Sequence, residues 1–158
     1  MMTSASSLSR QREIPGAALY RQALALADRI PLSLVQLVTR FAVAHVFWNS
    51  AQSKLASWPV TVQLFAMEYR LPVVPPEIAA PLATATELTG SVLLFLGLCT
   101  RLGALALLGV TATIQIFVYP TNWPDHLIWA AMLLLLLARG AGVVSLDYLA
   151  ARFFSRNG

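Results

Sequence analysis

The stretch Leu34–Leu55, LVQLVTRFAVAHVFWNSAQSKL, is long and apolar enough to cross a membrane, yet it contains Arg40, His45, Asn49 and Lys54. A transmembrane helix needs about 20 residues to cross about 30 Å of hydrocarbon. An isolated guanidinium is costly in that medium, so Arg40 is expected to have a compensating partner. An acidic residue within another span is the expected partner.

Composition places the whole chain in the same class. Its 158 residues are 58% hydrophobic and 11% charged, against roughly 45–50% and about 25% in soluble domains. We therefore expect an integral membrane protein in contact with the lipid bilayer. The net charge of +4 comes without a basic stripe interleaved with aromatic residues, so no nucleic-acid partner is predicted.

Several classes of chemistry are excluded by the residues that the chain lacks. Cys99 is its single cysteine, which rules out an internal disulfide and a CxxC redox pair. His45 and His126 have no second histidine or cysteine at metal-ligand spacing, so no metal site is predicted. GxSxG, HExxH and phosphate-loop motifs are also absent from the sequence. The chain is therefore not predicted to be a self-contained hydrolase or nucleotide enzyme.

The apolar runs predict an all-α fold with four transmembrane helices. The membrane domain covers residues 31–142, with its spans at about 32–54, 78–98, 102–119 and 124–139. The connection 55–78 is expected to pack as a loop across the mouth of the bundle. Asn122 is a predicted N-cap of the fourth span, and Gly140 follows the last residue of that span.

The segments outside the spans are more polar. Residues 1–15 are predicted to be a flexible polar tail. Residues 16–30 lie between two prolines and have leucines on one side and arginines on the other. This pattern predicts an amphipathic helix, either in the membrane interface or docked on the bundle. Residues 143–158 are predicted to form an interfacial helix, capped by Ser145, and a tail.

The distribution of cations predicts the topology. With four spans, the termini and the turn at Thr100–Arg101 share one side, and Lys54 and Arg70 lie on the other. The shared side holds eight arginines: Arg10, Arg12, Arg21, Arg29, Arg101, Arg139, Arg152 and Arg156. The positive-inside rule then places both termini in the cytoplasm and the chain, as a multi-pass protein, in the cell (inner) membrane.

The expected partner of Arg40 is Glu87, the charged residue in the middle of the second span. Helical rises of about 1.5 Å per residue bring both to a similar depth, with Gln115 of the third span nearby. We therefore predict an intramembrane polar site of Arg40, Glu87, Gln115 and Lys54. The ion pair either only fixes the register of the helices or lines a cavity for a quinone, a proton or a polar solute.

A second polar stripe on the first span contains His45 and Asn49, roughly opposite Arg40. These two side chains are expected to bond a neighbouring helix or a second copy of the chain. Their partner is not identified by the sequence.

The polar residues resemble a family pattern. Arg40-x3-Ala44-x2-Phe47-x2-Ser50-Ala51-x2-Lys54, Glu87, GLCTR around Arg101 and GAGVVSLD follow the order and spacing of the DoxX family from about Arg40 to Leu149. The turn YPTNWPDH is similar to one branch of that family. Ala44 and Ala51 stand where the family usually has glycine. Alanine is still small, so we expect the helices of this chain to pack closely, though slightly further apart.

This resemblance implies a four-helix membrane protein similar to the small membrane subunits of thiosulfate:quinone oxidoreductase. Other members resembling it anchor sulfurtransferase and superoxide-detoxifying partners or serve redox-enzyme maturation. The resemblance implies that the polar positions of the family pattern are Arg40, Lys54, Glu87 and Arg101 in this chain. The implied cofactor is a quinone, and the implied partners are soluble redox or sulfurtransferase proteins.

Three hypotheses follow for the function. The first is a DoxX-like membrane subunit of a quinone-linked or oxidative- and sulfur-stress redox system, more an anchor of an oxidoreductase than an enzyme by itself. The second is a small-solute transporter or permeability factor that uses the polar layer as a path. The third is a structural scaffold, in which the polar residues only fix the fold and a homo-oligomer is one outcome.

Overall fold

The structure, a computed structural model, describes residues 16–157, and these residues form helices without a strand. The helices are α1 (Ala17–Ala27), α2 (Leu32–Ala56), α3 (Trp58–Leu64), α4 (Pro76–Leu96), α5 (Thr100–Thr113), α6 (Trp123–Arg139) and α7 (Leu146–Asn157). The predicted all-α class is confirmed. The predicted tail 1–15 lies outside the described residues.

Helix α1 belongs to a compact unit of its own, which ends at Pro31. It begins after Gly16, whose φ of 96° is in the left-handed region that glycine adopts readily. None of its residues is buried within this unit. Its predicted interfacial position stays a prediction.

The second unit begins at Leu32 and contains the helices from α2 onward. Pro76–Leu96 and Thr100–Val118 are each long and apolar enough to cross a membrane. A third candidate span exists if Ala17–Ala27 and Leu32–Ala56 are counted together. The chain is thus a helical membrane protein, while the count of four spans stays a prediction.

Helices α2, α4, α5 and α6 pack around one apolar core. Its buried members are Val43, Ala44, Phe47, Leu94, Ala104, Leu107, Leu133 and Leu136. Close approach of α4 and α5 requires Gly90, since a Cβ there would lie 2.7 Å from Cγ of Leu107. Small residues at helix contacts are how helices pack closely in lipid, where no hydrophobic force drives them together.

The connection after α2 differs from the expected loop. It folds as α3, which continues into one π-helical turn, Phe65–Tyr69, before the chain crosses to α4. Pro59 suits the first turn of α3, where its missing N–H needs no partner. Thr61 Oγ1 donates a hydrogen bond of 2.7 Å to the Lys54 carbonyl, and Phe65 is buried against Ala80. The segment covers the end of α2, as the predicted cap would, but as a helix.

A second π-helical turn, Ile114–Val118, ends the candidate span that begins at Thr100. Asn122 precedes α6 as predicted, but its side chain donates to Asp125 Oδ2 at 3.0 Å rather than capping the backbone. Ser145 does cap α7, because its Oγ accepts a hydrogen bond of 3.2 Å from the Tyr148 N–H.

Candidate functional site

Arg40 lies at the end of the bundle where α4 finishes, and only 2% of its surface is exposed. Among the described residues, its guanidinium donates to four backbone carbonyls and to no carboxylate. Nε reaches Leu94 at 2.9 Å, Nη1 reaches Ala141 at 2.9 Å and Val144 at 2.8 Å, and Nη2 reaches Phe95 at 3.3 Å. The last carbonyls of a helix have no intrahelical partner and carry partial negative charge, so they suit a cation.

Gly97 and Asp147 complete this arrangement. Gly97 ends α4 with a φ of 64°, and a Cβ at this position would lie 2.6 Å from Nη1 of Arg40. The carboxylate of Asp147 accepts hydrogen bonds from the N–H groups of Cys99 at 2.7 Å and Thr100 at 3.0 Å. Arg40 and Asp147 therefore tie the 140–147 segment to the α4–α5 turn. We assign Arg40 to the architecture of the bundle.

The predicted ion pair between Arg40 and Glu87 is wrong. Side chains on an α-helix lean toward its N-terminus. That direction carries the Arg40 guanidinium to the end of α4, about 10 Å along that helix from Glu87. The same lean carries the Lys54 ammonium inward from the end of α2, toward Glu87.

Glu87 pairs with Lys54 instead. Lys54 Nζ lies 2.8 Å from Oε2 and 3.0 Å from Oε1 of Glu87, and it also donates to Ser50 Oγ at 2.7 Å. Glu87 is 1% exposed and Lys54 8%. Both charges are thus buried, paired and hydrogen-bonded, which is how ionised side chains are tolerated away from water.

The Lys54–Glu87 pair forms part of the wall of an apolar cavity of about 360 Å³. This cavity, called the apolar cavity below, lies between α4, α5 and the segment 65–74. Aliphatic and small side chains make most of its lining, including Leu71, Val74, Leu82, Ala83, Ala106 and Val110. Both π-helical turns contribute to it, through Phe65 and Tyr69 from one and Ile114 and Val118 from the other. Such turns are frequent at functional sites.

Gln115 belongs to a different cluster, with His126 and Pro120. Its Oε1 lies 2.6 Å from Nδ1 of His126, and its Nε2 donates to the Pro120 carbonyl at 2.8 Å. His126 is 3% exposed and packs against Trp129. Sequence reasoning placed Gln115 near Glu87 and gave His126 no role, because nothing in the sequence shows that α6 turns His126 back toward Gln115.

Two tyrosines, Tyr69 and Tyr119, form a neighbouring pair of aromatic side chains with polar ends. The Tyr119 hydroxyl donates to Glu68 Oε1, and this hydrogen bond, followed by burial, raises the pKa of Tyr119 above its usual range. Tyr69 packs edge-to-face on Tyr119, with ring centroids 6.0 Å apart. Burial, followed by the negative charges of Glu87 and Glu68, raises the pKa of Tyr69.

The second predicted stripe lies on the outside of the bundle. His45 and Asn49 are exposed, and Asn49 Nδ2 lies 3.0 Å from His45 Nε2 within the same helix. The two side chains therefore bond each other, one helical turn apart, rather than a neighbouring helix of this chain. Among the described residues no cluster of three potential metal ligands occurs.

Comparison with known proteins gives one match. A family model described as DoxX matches residues 35–120, more than half of the chain. The match contains Arg40, Lys54 and Glu87. The search of curated proteins found no match, and the search of solved structures found none either.

Proposed function

This chain belongs to the DoxX family, and from that membership we propose that it is a quinone-binding membrane subunit of a redox system. The observation that supports this proposal best is the apolar cavity with the Lys54–Glu87 pair in its wall. We place the quinone headgroup at this pair. The chain supplies the site, and a partner supplies the redox chemistry.

The lining of the cavity suits an amphiphile with a small polar head. Ligand sites are mostly apolar with a few well-placed polar groups that fix orientation. In the apolar cavity these groups are Lys54, Glu87 and Tyr69, with Thr86 and Thr113 further along the wall. A quinone carbonyl accepts hydrogen bonds from an ammonium or a phenol, and its isoprenoid chain is as apolar as the helices α4 and α5.

A transport path for polar solutes fits less well. The half of the bundle between Lys54 and Arg40 is filled by the apolar core, in which Phe47, Leu94 and Leu107 are at most 1% exposed. At its end the Arg40 guanidinium is closed in by four carbonyls. A polar solute would have to displace both the apolar core and the hydrogen bonds of Arg40. We therefore favour ligand binding over transport across the membrane.

For the topology we propose four spans, α2, α4, the stretch from α5 to its π turn, and α6, with both termini in the cytoplasm. Helix α2 has 25 residues and α6 has 17, which correspond to about 38 Å and about 25 Å of helix. The arginine distribution supports the orientation, and the cell (inner) membrane is the proposed location.

We further propose that α1 and α7 lie in the membrane interface. Helix α7 exposes Leu149, Phe153 and Phe154, and carries Arg152 and Arg156. Aromatic and aliphatic side chains suit the acyl boundary, while arginines suit anionic headgroups.

The proposed partners are a soluble redox or sulfurtransferase protein and a second copy of the chain. The exposed His45–Asn49 pair supports the second copy, because a polar pair facing lipid leaves hydrogen-bonding groups without partners. A cross-link at position 49 between two copies in native membranes tests this contact. Co-purification in mild detergent tests the redox partner.

The test of the binding site is direct measurement of quinone binding. The full chain is placed in lipid nanodiscs and titrated with a radiolabelled short-chain quinone. Ala83→Phe fills the apolar cavity, and we expect an affinity at least about tenfold lower, about 1.4 kcal/mol. Ala112→Phe, on an exposed position of α5 outside the cavity, is the control and should bind like the unmodified chain. Equal affinity of the unmodified chain, Ala83→Phe and Ala112→Phe for the quinone would refute the site.

A further inference from the structure

A second cavity, of about 170 Å³, is also lined by Lys54, together with residues of α2, α6 and the turn before α6. It is called the polar cavity below. Its polar lining consists of Ser50, Lys54, Tyr69, Tyr119, Asn122 and His126. Lys54, Tyr69 and Ile114 line both cavities. The two cavities therefore share a wall that contains the Lys54 ammonium.

The polar cavity has the size and chemistry of a hydrated space. A water needs about 10–15 Å³ of such space and two to four polar partners, so several waters fit here. Hydroxyls, an amide, an imidazole and an ammonium provide donors and acceptors along its wall.

The polar cavity is also placed to open toward one aqueous phase. Tyr119 and Asn122 belong to the turn between the π turn Ile114–Val118 and α6, and Tyr119 is 40% exposed. In the other direction the wall is apolar, with Val46, Phe47 and Trp129, and the closed core follows. Water entering at this turn therefore reaches Lys54 and goes no further.

We propose that the polar cavity is a hydrated route by which water and small cations, hydronium included, reach Lys54 from the side of the membrane on which the Tyr119–Asn122 turn lies. This route deepens the proposed function. It rests on that function only for the identity of the ligand in the apolar cavity. When electrons from the redox partner reduce the bound headgroup, its oxygen becomes basic, and a proton that leaves Nζ for that oxygen breaks an N–H bond and forms an O–H bond. Hydronium from the route then re-forms the N–H bond and leaves water.

Silver ion is the probe, since it is a small cation that reacts with a thiol only where water admits it. Val46→Cys is introduced in a Cys99→Ala background, and the chain is reconstituted with a defined orientation. Asn49→Cys is the control, because it lies nearer the Lys54 end of α2 than Val46 but on the exposed face. Ser50→Cys, also in the wall of the polar cavity, gives the answer if Val46→Cys does not accumulate.

We expect Val46→Cys to react at least about tenfold faster than Asn49→Cys with silver added on the side of the turn, since an ion does not enter hydrocarbon. Silver added on the other side should leave both thiols unmodified. Equal rates at the two positions, or modification of Val46→Cys from the opposite side only, would overturn the route. No quinone is used, so this experiment can fail while the quinone titration succeeds, and the reverse.

Discussion

Lys54 and Glu87 are 33 residues apart in the chain, and they form a buried ion pair in which Nζ lies 2.8 and 3.0 Å from the two carboxylate oxygens. Both residues line the apolar cavity, and Lys54 also lines the polar cavity. An ion pair that only fixes the packing of two helices needs no cavity beside it. Contact with a space for an amphiphile and, through Lys54, with a space for water makes this pair the centre of the proposed site.

Removing one partner of the pair should destabilise the protein more than removing both. Lys54→Met leaves a buried carboxylate without its cation, and Glu87→Gln leaves a buried ammonium. Each should lower the free energy of unfolding by about 3–5 kcal/mol, while the double variant recovers much of the loss. Thermal unfolding in mild detergent measures the effect, with Glu77→Gln, exposed in the first turn of α4, as the control. Additive losses in the double variant would contradict the pair.

Arg40 should not tolerate replacement by lysine. Lysine keeps the charge, but its ammonium is compact. The planar guanidinium of arginine has several donors in a fixed geometry, and only this arrangement reaches carbonyls in α4 and in the 141–144 segment at once. We expect Arg40→Lys to unfold at a lower temperature. The control is Arg101→Lys, because Arg101 is exposed and donates one long hydrogen bond of 3.4 Å. Similar unfolding temperatures for the two variants would show that Arg40 contributes charge alone.

Gly97 should be intolerant of alanine, and Gly109 should accept it. At Gly97 a Cβ meets both a φ of 64° and the Arg40 guanidinium at 2.6 Å, whereas a Cβ at Gly109 meets nothing within 4 Å. Gly97→Ala is therefore expected to lower the free energy of unfolding by about 1–3 kcal/mol. Gly109→Ala should raise it by about 0.4–1 kcal/mol, since glycine is costly inside a helix. Chemical denaturation in detergent compares them, and a neutral Gly97→Ala would contradict the packing of Arg40.

Alkaline titration should show Tyr119 to be protected from ionisation. The hydrogen bond to Glu68 raises the pKa of Tyr119, so the phenol stays protonated at pH 10, where an ordinary tyrosine is about half ionised. Because the folded pKa lies above the unfolded one, the stabilisation is complete below about pH 10 and is lost as the pH rises through the folded pKa.

The matching variant is Glu68→Gln, which removes the carboxylate. Absorbance of the phenolate near 295 nm should then increase at a lower pH than in the unmodified chain. In a Tyr119→Phe background, chains with and without Glu68→Gln should titrate alike. If Glu68→Gln leaves the titration unchanged, the hydrogen bond between Tyr119 and Glu68 does not hold the proton.

Much of the fold is contained in the local pattern of the sequence. Apolar run lengths predicted the helices near their observed ends, and Ser145 was recognised as a cap from its position alone. The helical segment after α2 was missed because proline and aromatic residues in a short stretch also suit a loop. Its helix is held by contacts with Ala80 and the Lys54 carbonyl, which only the folded chain brings together.

The site was predicted in composition but not in pairing. Lys54 and Glu87 were both identified as members of a polar site, yet Glu87 was assigned to Arg40. The predicted pairing rests on the depths of Arg40 and Glu87 along their helix axes alone. A long side chain extends toward the N-terminus of its helix, which moves its charged group by about one turn. Gln115 and His126 meet through the turn between α5 and α6. His45 and Asn49 are exposed on α2, whereas Arg40 is buried.

The most direct test of the central claim is photolabelling with a photoreactive short-chain quinone in lipid nanodiscs, followed by mapping of the labelled peptides. We predict saturable labelling of α4, α5 and the segment 65–74, on residues such as Leu82 and Val110 that line the apolar cavity. Excess unlabelled quinone should compete, and Ala83→Phe should lose the label while Ala112→Phe keeps it. Labelling that does not saturate and spreads over the lipid-facing residues of all helices would contradict a quinone site beside Lys54 and Glu87.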